Sequence, residues 1–158
     1  MELYIIRHGI AEDNNPGGDS QRVLTDTGKK KVKKMAKFLE QKVQFDMLIT
    51  SPYVRARQTA DIFADIFGIK GDAFFKSETL LPDTPLDEVI TEINSIGKER
   101  VGIVGHNPHL SELCGALLGS NCIGINLKKS AVARIDFPSL VRKEEGTLKW
   151  LVTAGVID

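Results

Sequence analysis

Residues 3–9 read LYIIRHG: four apolar or aromatic side chains, then Arg7, His8 and Gly9 in immediate succession. The run has the length and the β-forming composition of a buried strand. Such a strand ends awkwardly on an arginine and a histidine side by side, because a protein interior rejects charge that is not paired. An anion is therefore expected at the end of this strand. The rest of the chain should then supply the other half of an anion site.

Two later apolar runs behave in the same way. FDMLITS (45–51) reads as a second strand ending at Ser51, and RVGIVGH (100–106) as a buried strand ending at His106. Helical patterns alternate with them. After the polar, glycine-rich loop EDNNPGGDSQ, Val32, Met35, Ala36, Leu39 and Val43 recur at helical spacing behind Thr25-Asp26-Thr27-Gly28. Pro52 suits a helix start, and Ala60, Phe63, Ile66 and Phe67 share a face that stops at Gly68. AFFKSETL reads as a further strand. Thr84-Pro85 reads as the cap and first turn of a helix bearing Leu86, Val89, Ile90, Ile93 and Ile96. Asn107-Pro108 opens the last helix, with Leu110, Leu113, Cys114, Leu117 and Leu118 in register. AVARIDF and TLKWLVTA close the chain as antiparallel neighbours, with Trp150 expected in the core.

This order predicts an α/β protein: a sandwich around a mostly parallel, mixed sheet, formed by a single domain over residues 1–158. Ligands of such sheets sit at the carboxyl ends of the strands. His8, Ser51 and His106 are thereby brought to one edge, with Arg7 and with Arg55 in the first turn of the helix after SPYV. Arginine clamps phosphoryl oxygens in a bidentate way. A helix N-terminus adds free N–H groups. Between such arginines one neutral imidazole can attack phosphorus, and the other can donate to the equatorial oxygens.

The composition bounds the alternatives. The chain has 158 residues, 42% hydrophobic and 27% charged, with formal net charge zero. No global field favours nucleic acid or an anionic membrane, and no apolar run approaches the ~20 residues of a membrane span. No signal peptide is recognisable, and Cys114 and Cys122 form no framework, so a cytoplasmic protein is expected. KKKVKK (29–34) is foremost the solvated face of a helix, with docking of an acidic phosphoprotein as its functional reading. No metal or cofactor is expected: His106 and His109 form H-x-x-H, but no cysteine or carboxylate set accompanies them, and Pro108 breaks the helical spacing. His109 is expected at the surface.

RHG after an apolar strand, SPYVRARQTA, and GHNP after a second apolar strand resemble, in order, the motifs of the histidine phosphatase superfamily, the phosphoglycerate mutase-like proteins. The short length, DSQRVLTDTG and GHNPHL are most similar to its bacterial phosphohistidine phosphatases. The resemblance implies a three-layer α/β/α sandwich and a phosphatase without cofactor. It makes His8 the nucleophile and Arg7, Arg55 and His106 the phosphoryl-binding groups, with Arg22 on the substrate side. Ser51 is expected to be a turn former.

One departure matters. Members with a general acid carry it in an L-x-E pattern, but here Leu80-Leu81-Pro82-Asp83 puts proline at that place. Glu78 and Asp83 are nearby acid candidates, and neither matches the pattern. An alkoxide leaving group needs a proton donor. The nitrogen of a phosphohistidine needs less help. The expected substrate is therefore a phosphohistidine-containing protein. The alternatives are a metal-independent phosphatase of small phosphorylated metabolites and a phosphoprotein-binding module without turnover. A full mutase is disfavoured by the short chain and the missing acid.

Overall fold

From Leu3 to Ile6 every side chain of β1 (Glu2–Arg7) is buried, so this strand must be covered on both faces. It is. Leu3 and Ile5 point into one apolar cluster, Tyr4 and Ile6 into another. The computed structural model describes residues 1–119 and 124–157. The remaining strands are β2 (Met47–Thr50), β3 (Phe74–Lys76), β4 (Arg100–Gly105), β5 (Val132–Asp136) and β6 (Thr147–Val152). They form one sheet in the order β3-β2-β4-β1-β5-β6. Pairing is parallel from β3 to β1 and antiparallel from β1 to β6. The sheet is thus mixed, mostly parallel at its centre, with β1 and β4 as hydrogen-bonded neighbours.

Among the described residues, four α-helices cover it. α1 (Asp26–Glu40) and α2 (Val54–Phe67) bury Val32, Met35, Leu39, Ala60 and Phe63 with Tyr4 and Ile6. α3 (Leu86–Ile96) and α4 (His109–Leu117) bury Val89, Ile93, Leu110 and Leu113 with Leu3 and Ile5. The result is the expected three-layer α/β/α sandwich. Among the described residues no helix is long and apolar enough to cross a membrane.

Local chemistry sets the boundaries. The Thr25 hydroxyl caps α1 by accepting the Gly28 N–H at 3.0 Å. Gly28 then lies so close to Ile10 that a Cβ would sit 2.1 Å from the Ile10 carbonyl oxygen. α2 ends at Gly68, whose left-handed φ of 68° closes the helix.

Five expectations need correction. The strand expected over AFFKSETL spans only Phe74–Lys76, because the Ser77 hydroxyl accepts the Thr79 N–H at 3.1 Å and starts a 3-10 turn over Glu78–Leu80. Thr84 does not cap α3, since its hydroxyl donates to the Glu78 carbonyl and Pro85 takes the cap position. Val43 is buried but lies beyond the end of α1. Trp150, on the edge strand β6, is only partly buried. His109 is buried rather than surface-exposed: its Nε2–H donates to the Thr84 carbonyl at 2.9 Å, tying α4 to the loop before α3. Cys114 is a buried free thiol, whereas Cys122 lies outside the described residues.

Candidate active site

The parallel register pairs Arg7 with Gly105, so His8 and His106 are the next residues off two adjacent strands. Their ring centroids are 5.1 Å apart, close to the ~4.8 Å spacing of neighbouring strands. Both are buried.

The tautomer of His8 follows from its partners. Nδ1 lies 2.7 Å from the Gly9 carbonyl, which can only accept, so Nδ1 carries the proton and Nε2 the lone pair. Arg55 Nε donates towards that lone pair at 3.3 Å. Burial, then the Arg55 and Arg7 charges, pushes His8 down to about pKa 3. His106 is likewise pushed down to about 3, by burial first and then by His8 and Arg55. Two neutral imidazoles therefore stand beside two guanidinium groups at neutral pH.

α2 fixes the site from below. Arg55, Gln58 and Thr59 lie at helical i, i+3 and i+4 and face the same neighbours. The Gly9 N–H donates to Thr59 Oγ1 at 3.0 Å, while the Thr59 hydroxyl donates to the Arg55 carbonyl. Gln58 Oε1 accepts the Leu24 N–H at 2.7 Å. Ser51 is more than the expected turn former: its hydroxyl is fully buried and lies 2.7 Å from His106 Nε2. When the Ser51 O–H donates there, the His106 proton resides on Nδ1, a buried atom without a hydrogen-bond partner among the described residues. Arg7 Nη1 donates to the Leu127 carbonyl at 3.0 Å, and its buried Nε likewise lacks a partner among them. These unmatched donors suit an oxoanion.

The arginine expected on the substrate side is reached through a residue the sequence reading missed. Arg22 donates from Nη1 to Asp19 Oδ1 at 2.8 Å and from Nε to the Glu12 carbonyl at 2.6 Å. Asp19 also accepts from Arg55, at its carbonyl (2.7 Å) and at Oδ2 (3.1 Å). Hydrogen bonds from Arg22 and Arg55 hold the Asp19 carboxyl below its ordinary range. The acid candidates Glu78 and Asp83 are both exposed. Asp83 is felt by His109, whereas the carboxylate felt by His106 is Asp19.

A cavity of about 350 Å³ opens at the opposite end of the sheet, lined by Glu2, Tyr4, Arg100 and Arg134. Both arginines there are paired, Arg100 with Asp46 and Arg134 with Glu2 and Asp136.

A three-layer sandwich with this sheet order and two histidines on adjacent central strands has the phosphoglycerate mutase-like form. Residues 3–73 match the histidine phosphatase superfamily (branch 1). An uncharacterized protein of Picosynechococcus sp. is 34% identical over 139 residues, 84% of this chain and 82% of its own. The phosphohistidine phosphatase SixA of Escherichia coli is 29% identical over 157 residues, 95% of this chain and 92% of its own. A solved structure of the protein histidine phosphatase SixA complexed with tungstate superposes with a TM-score of 0.87 at 25% identity, covering all of both chains. The chain belongs to the histidine phosphatase superfamily. It is a phosphatase, which sets aside the binding-module alternative.

Proposed function

We propose that this protein removes phosphate from a phosphohistidine-bearing protein through a phosphohistidine intermediate on His8. The observation that carries the reading is the state of His8, a neutral imidazole whose Nε2 lone pair faces the Arg55 guanidinium at 3.3 Å. It needs no base to become a nucleophile. Phosphorus held beside Arg55 is attacked by His8 Nε2, and the bond to the leaving group breaks in line. Arg7, Arg55 and His106 hold the equatorial oxygens, whose charge is spread in the transition state. Water then attacks the phosphorus of phospho-His8, releasing phosphate and restoring the imidazole.

The nature of the leaving group supports the substrate class. Pro82 stands where related enzymes carry an acid, Glu78 and Asp83 are exposed, and Asp19 is held ionised by its arginines. General acid catalysis is typically worth ~10²–10⁴-fold, which is the handicap an alkyl phosphate should suffer here. The match to SixA over nearly its full length points the same way.

The test compares kcat/KM for phosphohistidine, p-nitrophenyl phosphate and an alkyl phosphate. The expected order is phosphohistidine first and the alkyl phosphate last. An alkyl phosphate hydrolysed as fast as the others would show an acid at work, with Glu78 or Asp83 the first to substitute, and would make the protein a phosphatase of small phosphomonoesters. His8→Ala should abolish turnover, and labelled phosphate trapped on the wild-type protein should map to His8. Label on another residue would overturn the mechanism.

A further inference from the structure

Asp19 is the unexpected member of this site. The Arg55 guanidinium runs between two different partners. Its Nε–H faces His8 Nε2 at 3.3 Å, and its two terminal nitrogens face Asp19, at the carbonyl (2.7 Å) and at Oδ2 (3.1 Å). Arg55 has 6% of its side chain exposed and Asp19 has 58%. The guanidinium therefore reaches from the buried nucleophile at its inner edge to a carboxylate at the open mouth of the site. Arg22 holds the other carboxylate oxygen at 2.8 Å. A carboxylate offers about four acceptor positions, so two arginine contacts leave capacity for a further N–H.

In-line displacement sends the leaving group away from the attacking atom. A leaving group carried on a partner protein must depart towards solvent, the side on which the largely exposed Asp19 meets the outer end of Arg55. Leaving groups differ in what they bring there. A phosphorylated imidazole protonated on its other ring nitrogen presents an N–H and positive charge. An alkoxide or phenoxide presents neither and gains negative charge as it departs.

We propose that Asp19 is a specificity-determining residue whose carboxylate accepts the ring N–H of the departing imidazole and keeps that ring protonated. The assignment rests on the phosphohistidine reading above and deepens it. The step balances without a proton donor. The His8 Nε2–P bond forms, the P–N bond of the substrate breaks, and its electron pair goes to the departing nitrogen. The proton stays on the other ring nitrogen, so the ring leaves as neutral imidazole. The proline at the acid position thereby acquires a reason: the leaving group carries its proton in with it. The Arg22 and Arg55 hydrogen bonds that hold Asp19 ionised keep it an acceptor rather than an acid. The same negative charge repels the departing oxygen of a phosphomonoester.

The experiment measures kcat/KM for phosphohistidine and for p-nitrophenyl phosphate with the wild type, Asp19→Asn and Asp19→Glu. A hydrogen bond to a charged group sets the scale. Asp19→Asn should lower the ratio of phosphohistidine to aryl phosphate by roughly 10- to 100-fold, and Asp19→Glu should recover most of it. A residue that merely orients Arg55 would lower both substrates together. An unchanged ratio in Asp19→Asn therefore overturns the proposal. Thermal unfolding checks that the variant is folded, and Asp19→Ser, which removes the charge with a smaller side chain, is judged by the same ratio if Asp19→Asn is not. A wild-type protein inert towards phosphohistidine but active on the aryl phosphate would overturn the phosphohistidine reading, and this one with it. Wild-type activity on phosphohistidine with an unchanged ratio overturns this one alone.

Discussion

Gly28→Ala should cost both stability and turnover, although glycine to alanine inside a helix ordinarily stabilises by about 1 kcal/mol. Gly28 sits in the first turn of α1, against the chain that leaves His8. An added Cβ would lie 2.1 Å from the Ile10 carbonyl oxygen and 3.0 Å from its carbonyl carbon and amide nitrogen, whereas ordinary contact begins near 3.4 Å. The two backbones must therefore open by about 1.3 Å. No side chain can swing aside, because all three atoms are main chain. The Ile10 carbonyl also accepts the Thr25 N–H at 2.9 Å, so the opening strains the start of α1 as well. Overpacking of this kind costs roughly 1–3 kcal/mol, which outweighs the gain in helix propensity. For a chain of this size that lowers Tm by several degrees. His8 lies two residues from Ile10, and a displacement of about 1 Å at reacting groups can cost ~10²-fold in rate. Differential scanning calorimetry and the p-nitrophenyl phosphate rate measure the two effects. A variant with a raised Tm and undiminished kcat would refute the close approach of α1 to the His8 turn and the argument built on it.

Ser51→Ala strips the partner from buried His106 Nε2, so a loss of about 1–3 kcal/mol is expected in urea unfolding. A fall of ten-fold or more in kcat should accompany it, and an unaltered rate would show that the orientation of His106 does not depend on Ser51. Acid should destabilise the fold early. His8 and His106 protonate near 6.5 in the unfolded chain but only near 3 in the folded one. Between those values the unfolded state binds more protons, so stability is full above about pH 6.5 and is lost as pH falls towards 3, by about 1.4 kcal/mol per pH unit for each histidine. Urea midpoints measured from pH 7 to pH 4 that show no decline would contradict the buried neutral pair. Exhaustive chelation should leave turnover unchanged, because Arg7 and Arg55 carry the charge that a divalent ion supplies in other phosphatases. Activity lost to chelation and restored by Mg²⁺ or Zn²⁺ would count against that assignment.

What the sequence made legible is uneven for physical reasons. Arg7, His8, Arg55 and His106 each sit one step from a strong periodic signal, the end of an apolar strand or the start of an amphipathic helix. Topology alone then brings them together. Asp19 stands in a glycine-rich loop whose path no periodicity sets, so its contacts with Arg22 and Arg55 appear only in three dimensions. The Ser51 hydroxyl was hidden by its place before Pro52, where a turn explanation already sufficed. His109 follows Pro108 in a polar-looking segment. Its burial depends on the loop at Thr84, which lies 25 residues earlier. Trp150 shows the opposite error: its apolar character suggests the interior, but β6 has a neighbour on one side only.

The pairing of Arg7 with Gly105 makes the distance between the two histidines a property of the backbone rather than of any loop. A ladder of main-chain hydrogen bonds serves as the ruler. The spacing therefore survives any sequence drift that leaves β1 and β4 in register. The segments over 12–22, 77–85 and 124–130 rim the same edge without setting that spacing. Variation there can retune what enters while the histidine pair stays where it is. Directed evolution of new leaving-group preferences should accordingly succeed in those three segments and fail within the strands, where a one-residue slip would turn His8 or His106 to the opposite layer.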